Sequence, residues 1–198
     1  MKAKDFRKLA WEQLRKNYWM VFVTSLIVYA ISAATTSVVV GLVLSGPLMV
    51  GYSIYLLNNL KDPKSADKLE TLFDGFKKSL GTSIIAYILK FVFIILWTLL
   101  FIIPGIIKSL AFSMTEYVIA DNPEISPTEA LDKSQALMKG NKWRLFCLYF
   151  SFIGWFILSA FTFGIGFFFL LPYINTTIAN FYVEIRGTKQ EVIDLEVE

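Results

Sequence analysis

"MKGNKWRLFCLYFSFIGWFILSAFTFGIGFFFLLPYINTTIANFYVEIRG", residues 138–187, carries Lys139, Lys142 and Arg144 in its first seven positions and then no charge until Glu184. The run from Leu145 to Val183 is therefore uncharged throughout, as is a second run from Asn17 to Leu60. Each is about twice the ~20 residues that cross a bilayer once. A single helix of that length would run to roughly 60 Å at 1.5 Å per residue, so each run reads as two spans joined by a turn. A basic, aromatic-flanked entry precedes both runs, as Lys142-Trp143-Arg144 here and as Arg15-Lys16 with Tyr18 and Trp19 near the N-terminus.

The rest of the chain agrees with this reading. It is 56% hydrophobic and 16% aromatic, with only 18% charged residues and a mean hydropathy of +0.57. A water-soluble domain of 198 residues needs more charge than that to cover its surface. Histidine is absent and Cys147 is the sole cysteine, which excludes disulfide frameworks, thiolate zinc sites and His-dependent triads within one chain. The apolar run after Lys16 is far longer than the core of a cleaved signal peptide, and further spans follow it.

The basic entries recur at a fixed spacing. Asn17, Ser79 and Asn141 are evenly spaced along the chain, each preceded by basic residues and, three positions upstream, by Leu14, Phe76 and Met138. Polar boundaries return at Leu60, Asp121 and Arg186, so the three intervals are of nearly equal length. Helix-breaking turns are expected at Gly41 to Pro47, at Pro104-Gly105 and at Gly164 to Gly166. The expectation is an all-α integral membrane protein of six transmembrane helices in three hairpins. Its pseudo-repeats are 1–60, 66–121 and 126–186, and residues 187–198 form a short, mobile acidic tail. Three unrelated hairpins of similar length are the alternative.

An amphipathic helix precedes each hairpin. Phe6, Leu9, Ala10 and Leu14 share a helical face, as do Leu69, Leu72, Phe73 and Phe76. The third helix starts at "SPTEAL", with Ser126 as N-cap, Pro127 at the first helical position and Glu129 at the third. All three are expected on the cytoplasmic face, apolar side down in the headgroups; packing against a partner or each other is the alternative. Of the 19 Lys and Arg, 17 fall in residues 1–16, 61–78, 133–144 and 186–189, and none in the expected turns. The positive-inside rule then places both termini in the cytoplasm of a multi-pass protein of the bacterial plasma membrane. With no nucleic-acid motif present, a net charge of +3 points to anionic membrane lipid as partner. Lys77, Lys78, Lys139, Lys142 and Arg144 are the candidate headgroup contacts, alongside a possible membrane-protein partner or second copy.

Ionisable groups inside spans are costly and therefore candidates for function. Lys90, Lys108 and Glu116 all lie in the middle hairpin. A Lys90–Glu116 pair across the hairpin is expected, with Lys108 reaching the opposite interface. In the last span Asn175, Thr176 and Asn180 present polar atoms to one broad face, and Pro172 is expected to kink it. Small residues from Ala30 to Gly41 suit close helix packing. No phosphate-binding glycine loop, HExxH or paired intramembrane carboxylates appear, so no cofactor and no enzymatic activity are expected.

Three stretches bear a family resemblance: "LWTLLFIIPGIIK" (96–108), "YVIADNPEISPTEALDKSQALMKGNKWRLFCLYFSFIGW" (117–155) and "GIGFFFLLPYINTTIANFYVEI" (164–185). In combination, the ADNP, the S-x-x-x-MKG and the GIG-then-LPY elements resemble the bacterial integral-membrane family catalogued as domain of unknown function 975. That family is in turn distantly similar to the membrane domain preceding some glycerophosphodiester phosphodiesterases, though no catalytic domain accompanies it here. The resemblance implies a membrane protein and brings no biochemical role. The expected role is a non-enzymatic interaction or lipid-organising component of the cell envelope. The alternative is a small transporter or channel lined by the polar residues of spans three, four and six; a lipid-modifying enzyme is a third reading.

Overall fold

The computed structural model describes residues 2–34, 38–62, 69–162 and 165–197, with side chains not described for 30–43, 165 and 189–198. Among the described residues the regular structure is entirely helical. In order come α1 (Ala3–Ala34), α2 (Val38–Lys61), a 3-10 turn (Leu69–Phe73), α3 (Asp74–Lys78) and α4 (Leu80–Leu100). Then follow α5 (Ile102–Ala111), α6 (Thr115–Asp121), α7 (Pro127–Met138), α8 (Lys142–Phe150), α9 (Ile153–Phe161) and α10 (Ile165–Val197).

Three stretches are long and apolar enough to cross a membrane: Leu80–Leu100, Ile102–Asp121 and Lys142–Phe161, of 21, 20 and 20 residues. At 1.5 Å per residue each covers about 30 Å, the thickness of a hydrocarbon core. The second contains α5 and α6 and the third α8 and α9, so both are broken midway. A break frees backbone groups that lipid cannot satisfy. Side chains from other helices take them up here. The Ser134 hydroxyl of α7 accepts from the Met114 N–H at 3.2 Å and donates to the Ala111 carbonyl at 2.9 Å, spanning the α5–α6 break. Arg7 of α1 donates to the Ser151 carbonyl at 2.8 Å, in the α8–α9 break, with its guanidinium 6.0 Å from the centre of the Phe152 ring.

The core is built around α2. From Gly46 to Leu57 every residue except Met49 is buried, against α1, α3, α4, α6 and the 3-10 turn. Glycines permit this closeness. A Cβ on Gly51 would overlap the Leu72 carbonyl, one on Gly75 the Pro47 carbonyl, and one on Gly46 would crowd the Ser83 backbone. By contrast, of α4 only Ser83 and Ala86 are buried. The hairpin of α4 and α5 and the pair α9–α10 present Phe, Leu, Ile and Trp outward.

Several expectations are corrected. Gly41 to Pro47 is not a turn: α2 is helical from Val38 with Pro47 inside it. Proline removes a single helical hydrogen bond, and burial on several sides outweighs that loss. Gly46 and Pro47 pack against Ser83 and Gly75, residues expected at the opposite membrane boundary, so the first hairpin is not an upright copy of the second. The amphipathic helices turn their apolar faces onto protein. Phe6, Ala10 and Leu14 are buried, Phe6 with its ring 5.3 Å from that of Phe181, and Leu72, Leu131 and Met138 are buried likewise, whereas Phe73 stays exposed. The middle turn comes at Phe101, in extended conformation, just ahead of Pro104-Gly105. Helix α9 ends at Phe161 and α10 begins at Ile165, while Gly164 of the expected last turn lies outside the described residues. Residues 187–197, expected as a mobile tail, continue α10 as helix. The side chains of Ala30 to Gly41 also lie outside the described residues.

Other local signals hold. The Ser126 hydroxyl accepts from the Glu129 N–H at 3.3 Å, with Pro127 in the first turn. The backbone departs from helical geometry at Asn17 (φ −134°, ψ 32°) and Ser79 (φ −143°, ψ 31°), whereas Asn141 (φ −105°, ψ −7°) keeps right-handed helical angles.

Candidate functional site

Several polar residues of the apolar elements gather beside the middle of α2. Lys90 of α4 and Glu116 of α6 form an ion pair, Nζ to Oε1 2.7 Å, with both side chains less than one-fifth exposed. The turn between α4 and α5 brings together two residues well separated in the chain. Neighbouring oppositely charged groups lower the cost of holding either in an apolar setting.

Glu116 also lines an open pocket of about 180 Å³ with Tyr29, Tyr52, Tyr117, Tyr149 and Asn175. Asn175 Nδ2 donates to the hydroxyls of Tyr29 and Tyr52, each at 3.2 Å, and the Tyr52 hydroxyl lies 2.7 Å from Ser25 Oγ. Five helices thus contribute to one small polar chamber: α1, α2, α6, α8 and α10. Water occupies about 30 Å³ per molecule in the liquid, so the space suits a few waters or one small polar ligand. The four tyrosines escape a reading that looks for charges and amides. The available signal is that a phenol within an apolar run needs a partner for its hydroxyl.

The other candidates separate. Asn180 Nδ2 donates to Gln13 of α1 and to the Thr176 carbonyl, tying α10 to α1. Thr176 is buried, and its hydroxyl has no hydrogen-bond partner among the described residues. Lys108 does not reach outward to an interface. Its Nζ donates to Gln135 Oε1 of α7 at 2.9 Å and stands 5.4 Å from the Trp97 ring centre and 5.5 Å from that of Phe112. Gln135 and two aromatic faces are close enough to hold the ammonium without snorkelling.

The five proposed headgroup contacts also differ among themselves. Arg144 is engaged inside the protein: its guanidinium bonds Glu184 Oε1 at 2.7 Å and Asn141 Oδ1 at 2.9 Å and stacks over Phe181. Lys78 pairs with Asp74 one turn away, at 3.0 Å. Lys77 and Lys139 are exposed and Lys142 half-exposed. Nearby, Asp121 at the end of α6 accepts from the Tyr182 hydroxyl at 2.7 Å and from Arg186, fastening α6 to α10. Among the described residues no group of three His, Cys, Asp or Glu is placed to hold a metal ion.

This geometry gives the sequence elements their physical roles. Asp121 of ADNP anchors Tyr182 and Arg186. In S-x-x-x-MKG, Ser134 bridges the α5–α6 break, Met138 is buried and Gly140 takes a left-handed turn at φ +84°. Gly166 of GIG approaches Ser159 so closely that a Cβ would lie 2.8 Å from its Cα, and Tyr173 of LPY donates to the Arg7 carbonyl at 3.0 Å.

Residues 99–189 match the family model described as Protein of unknown function (DUF975). No curated protein and no solved structure matches, and the similarity to phosphodiesterase membrane domains is not shown.

Proposed function

We propose, from the premise that residues 99–189 belong to the family of unknown function 975, that this chain is a non-enzymatic membrane component that organises lipid or partner proteins in the cell envelope. One contrast carries the reading. Its intramembrane cations, with Arg144 and Asn180, are engaged by polar partners within the protein, while the apolar flanks of α4, α5, α9 and α10 stay open. Lys90 is committed to Glu116, Lys108 to Gln135, Arg144 to Glu184 and Asn180 to Gln13. A carrier or channel needs polar groups free to exchange partners along a path. The chamber at Glu116 and Asn175 is the observation that favours transport instead, and its small volume argues against a continuous path.

In this reading the chain crosses the bacterial plasma membrane six times with both termini in the cytoplasm. The stretches Leu80–Leu100, Ile102–Asp121 and Lys142–Phe161 are spans three to five, and α2 is a central span sheltered by the others. Anionic lipids are its first partners, with Lys77, Lys139 and Lys142 available at the rim.

Two measurements test this. Vesicles carrying the purified protein should hold proton and potassium gradients as protein-free vesicles do. A saturable flux abolished by Glu116→Gln would overturn the reading in favour of transport. In a Cys147→Ser background, Asp132→Cys and Thr188→Cys should both be shielded in intact cells from an impermeant thiol reagent. Labelling of either from outside would overturn the topology.

A further inference from the structure

An apolar hollow lies away from the polar chamber, between the first half of α1 and helices α9 and α10. It has a volume of about 520 Å³, within the range of pockets that take small ligands. Trp11 and Tyr18 of α1 form one wall, Trp155 and Leu158 of α9 the other, and Phe169 and Tyr173 of α10 the floor. Trp11 meets Tyr173 edge-on at 6.1 Å, and the Tyr18 hydroxyl donates to the Phe169 carbonyl at 3.1 Å, so the aromatic wall is fixed in place. Trp155 and Leu158 belong to the apolar stretch Lys142–Phe161, so the groove opens along a face suited to hydrocarbon. Trp11 is shared with a second hollow, of about 260 Å³, lined by Glu12, Arg15 and Lys16. Arg15 and Lys16 are exposed, and among the described residues neither makes an ion pair.

We infer that this composite site binds one anionic phospholipid, with an acyl chain in the aromatic groove and the phosphate on Arg15 and Lys16. The inference rests on the lipid-organising reading and names its ligand and place. Charge complementarity selects the occupant. The second hollow, which shares Trp11 with the apolar groove, carries two cations and one carboxylate, a net charge of +1. A zwitterionic choline headgroup would neutralise neither the excess nor Glu12's need for a donor. A phosphate bearing a hydroxylated substituent meets both, with the hydroxyls donating to Glu12. This places lipid recognition on the N-terminal helix rather than on Arg144 and Lys78, which already have carboxylate partners.

The test uses the full chain in mild detergent with phosphatidylglycerol, phosphatidylcholine or soluble glycerol phosphate, read by native mass spectrometry and by thermal shift. The wild type should retain one phosphatidylglycerol and melt higher with it, with little response to the other two. Two cations near a lipid phosphate are worth roughly 5-fold each, so Arg15→Gln/Lys16→Gln should lose about 30-fold in phosphatidylglycerol affinity and its preference over phosphatidylcholine. Leu158→Trp, which fills the groove from an exposed position, should lose retention of phosphatidylglycerol while keeping the wild-type circular dichroism and elution volume. Equal retention of the two lipids by the wild type, an undiminished preference in the double variant, or an equal shift with glycerol phosphate would each overturn the site. None of these outcomes decides the gradient measurement above, so failure of the site and failure of the broader reading are separable.

Discussion

Helices α2 and α4 are both apolar and of similar length, 24 and 21 residues, yet they live in different surroundings. α2 is buried on nearly every side from Gly46 to Leu57, whereas α4 buries two small residues and turns Phe91, Leu96, Trp97 and Leu99 outward. Their compositions explain the difference. α2 carries Gly46, Gly51 and Ser53 among its large residues, which lets the neighbouring backbone of the 3-10 turn and α4 approach to van der Waals contact. The outer half of α4 has no glycine and is filled with bulky aliphatic and aromatic side chains that suit lipid. Apolar character brings both helices out of water; small residues decide which one is enclosed by protein.

The largest expected effect tests the polar tie that α4 does make. Lys90→Met should destabilise the protein by about 3–5 kcal/mol, because Glu116 is left charged and unpaired in an apolar setting. Lys90→Met/Glu116→Gln should recover part of that loss. Unfolding in detergent, run as a double-mutant cycle, checks it, and strictly additive losses would dismiss the pair.

The contrast itself is probed by truncating one leucine on each helix. Leu56→Ala, at a site 1% exposed, should cost about 2–4 kcal/mol. Leu99→Ala, at a site 84% exposed, should cost less than about 0.5 kcal/mol. Equal costs in the same detergent would mean that α4 is also enclosed, for instance by a second copy.

Close approach is tested by adding a single methyl group. Gly51→Ala should cost about 1–3 kcal/mol, since the new Cβ meets the Leu72 carbonyl, a backbone group that cannot swing aside. Gly154→Ala on α9 meets nothing within 4 Å and should be neutral or slightly stabilising through its helix propensity. Thermal unfolding of the two variants side by side reads the difference.

The smallest effect concerns the broken spans. Ser134→Ala should cost about 1–2 kcal/mol, by leaving the Met114 N–H and the Ala111 carbonyl without their bridge. Hydrogen exchange at Met114 should rise more than at residues of α4. Unchanged protection there would show that the break is satisfied another way.

Much of the local structure is legible in the residues. The long uncharged runs mark apolar helices, Ser126 and Pro127 mark the start of α7, and the isolated charges Lys90 and Glu116 are each other's natural partner. The readings that fail share one cause. Gly41 to Pro47 reads as a turn because glycine and proline break isolated helices, yet in a crowded interior the same residues make room for neighbours. Lys108 reads as snorkelling because Gln135 is distant in sequence, and nothing local reveals that α7 lies beside α5. The tyrosines of the polar chamber come from helices far apart in the chain, at positions 29, 52, 117 and 149. No window of sequence contains them together.

Single residues and short spacings therefore suffice for helix as the regular structure, for apolar lengths matched to a bilayer, for charge gathered outside the apolar runs and for the capping of α7. It took the packed fold to enclose α2 while leaving α4 open, to turn the amphipathic helices onto protein, and to set Arg7 and Ser134 against breaks in helices other than their own. The physical reason is that transfer out of water favours burial against protein and burial in lipid alike. Choosing between them depends on shape and on hydrogen-bond partners, which exist only once distant segments have met.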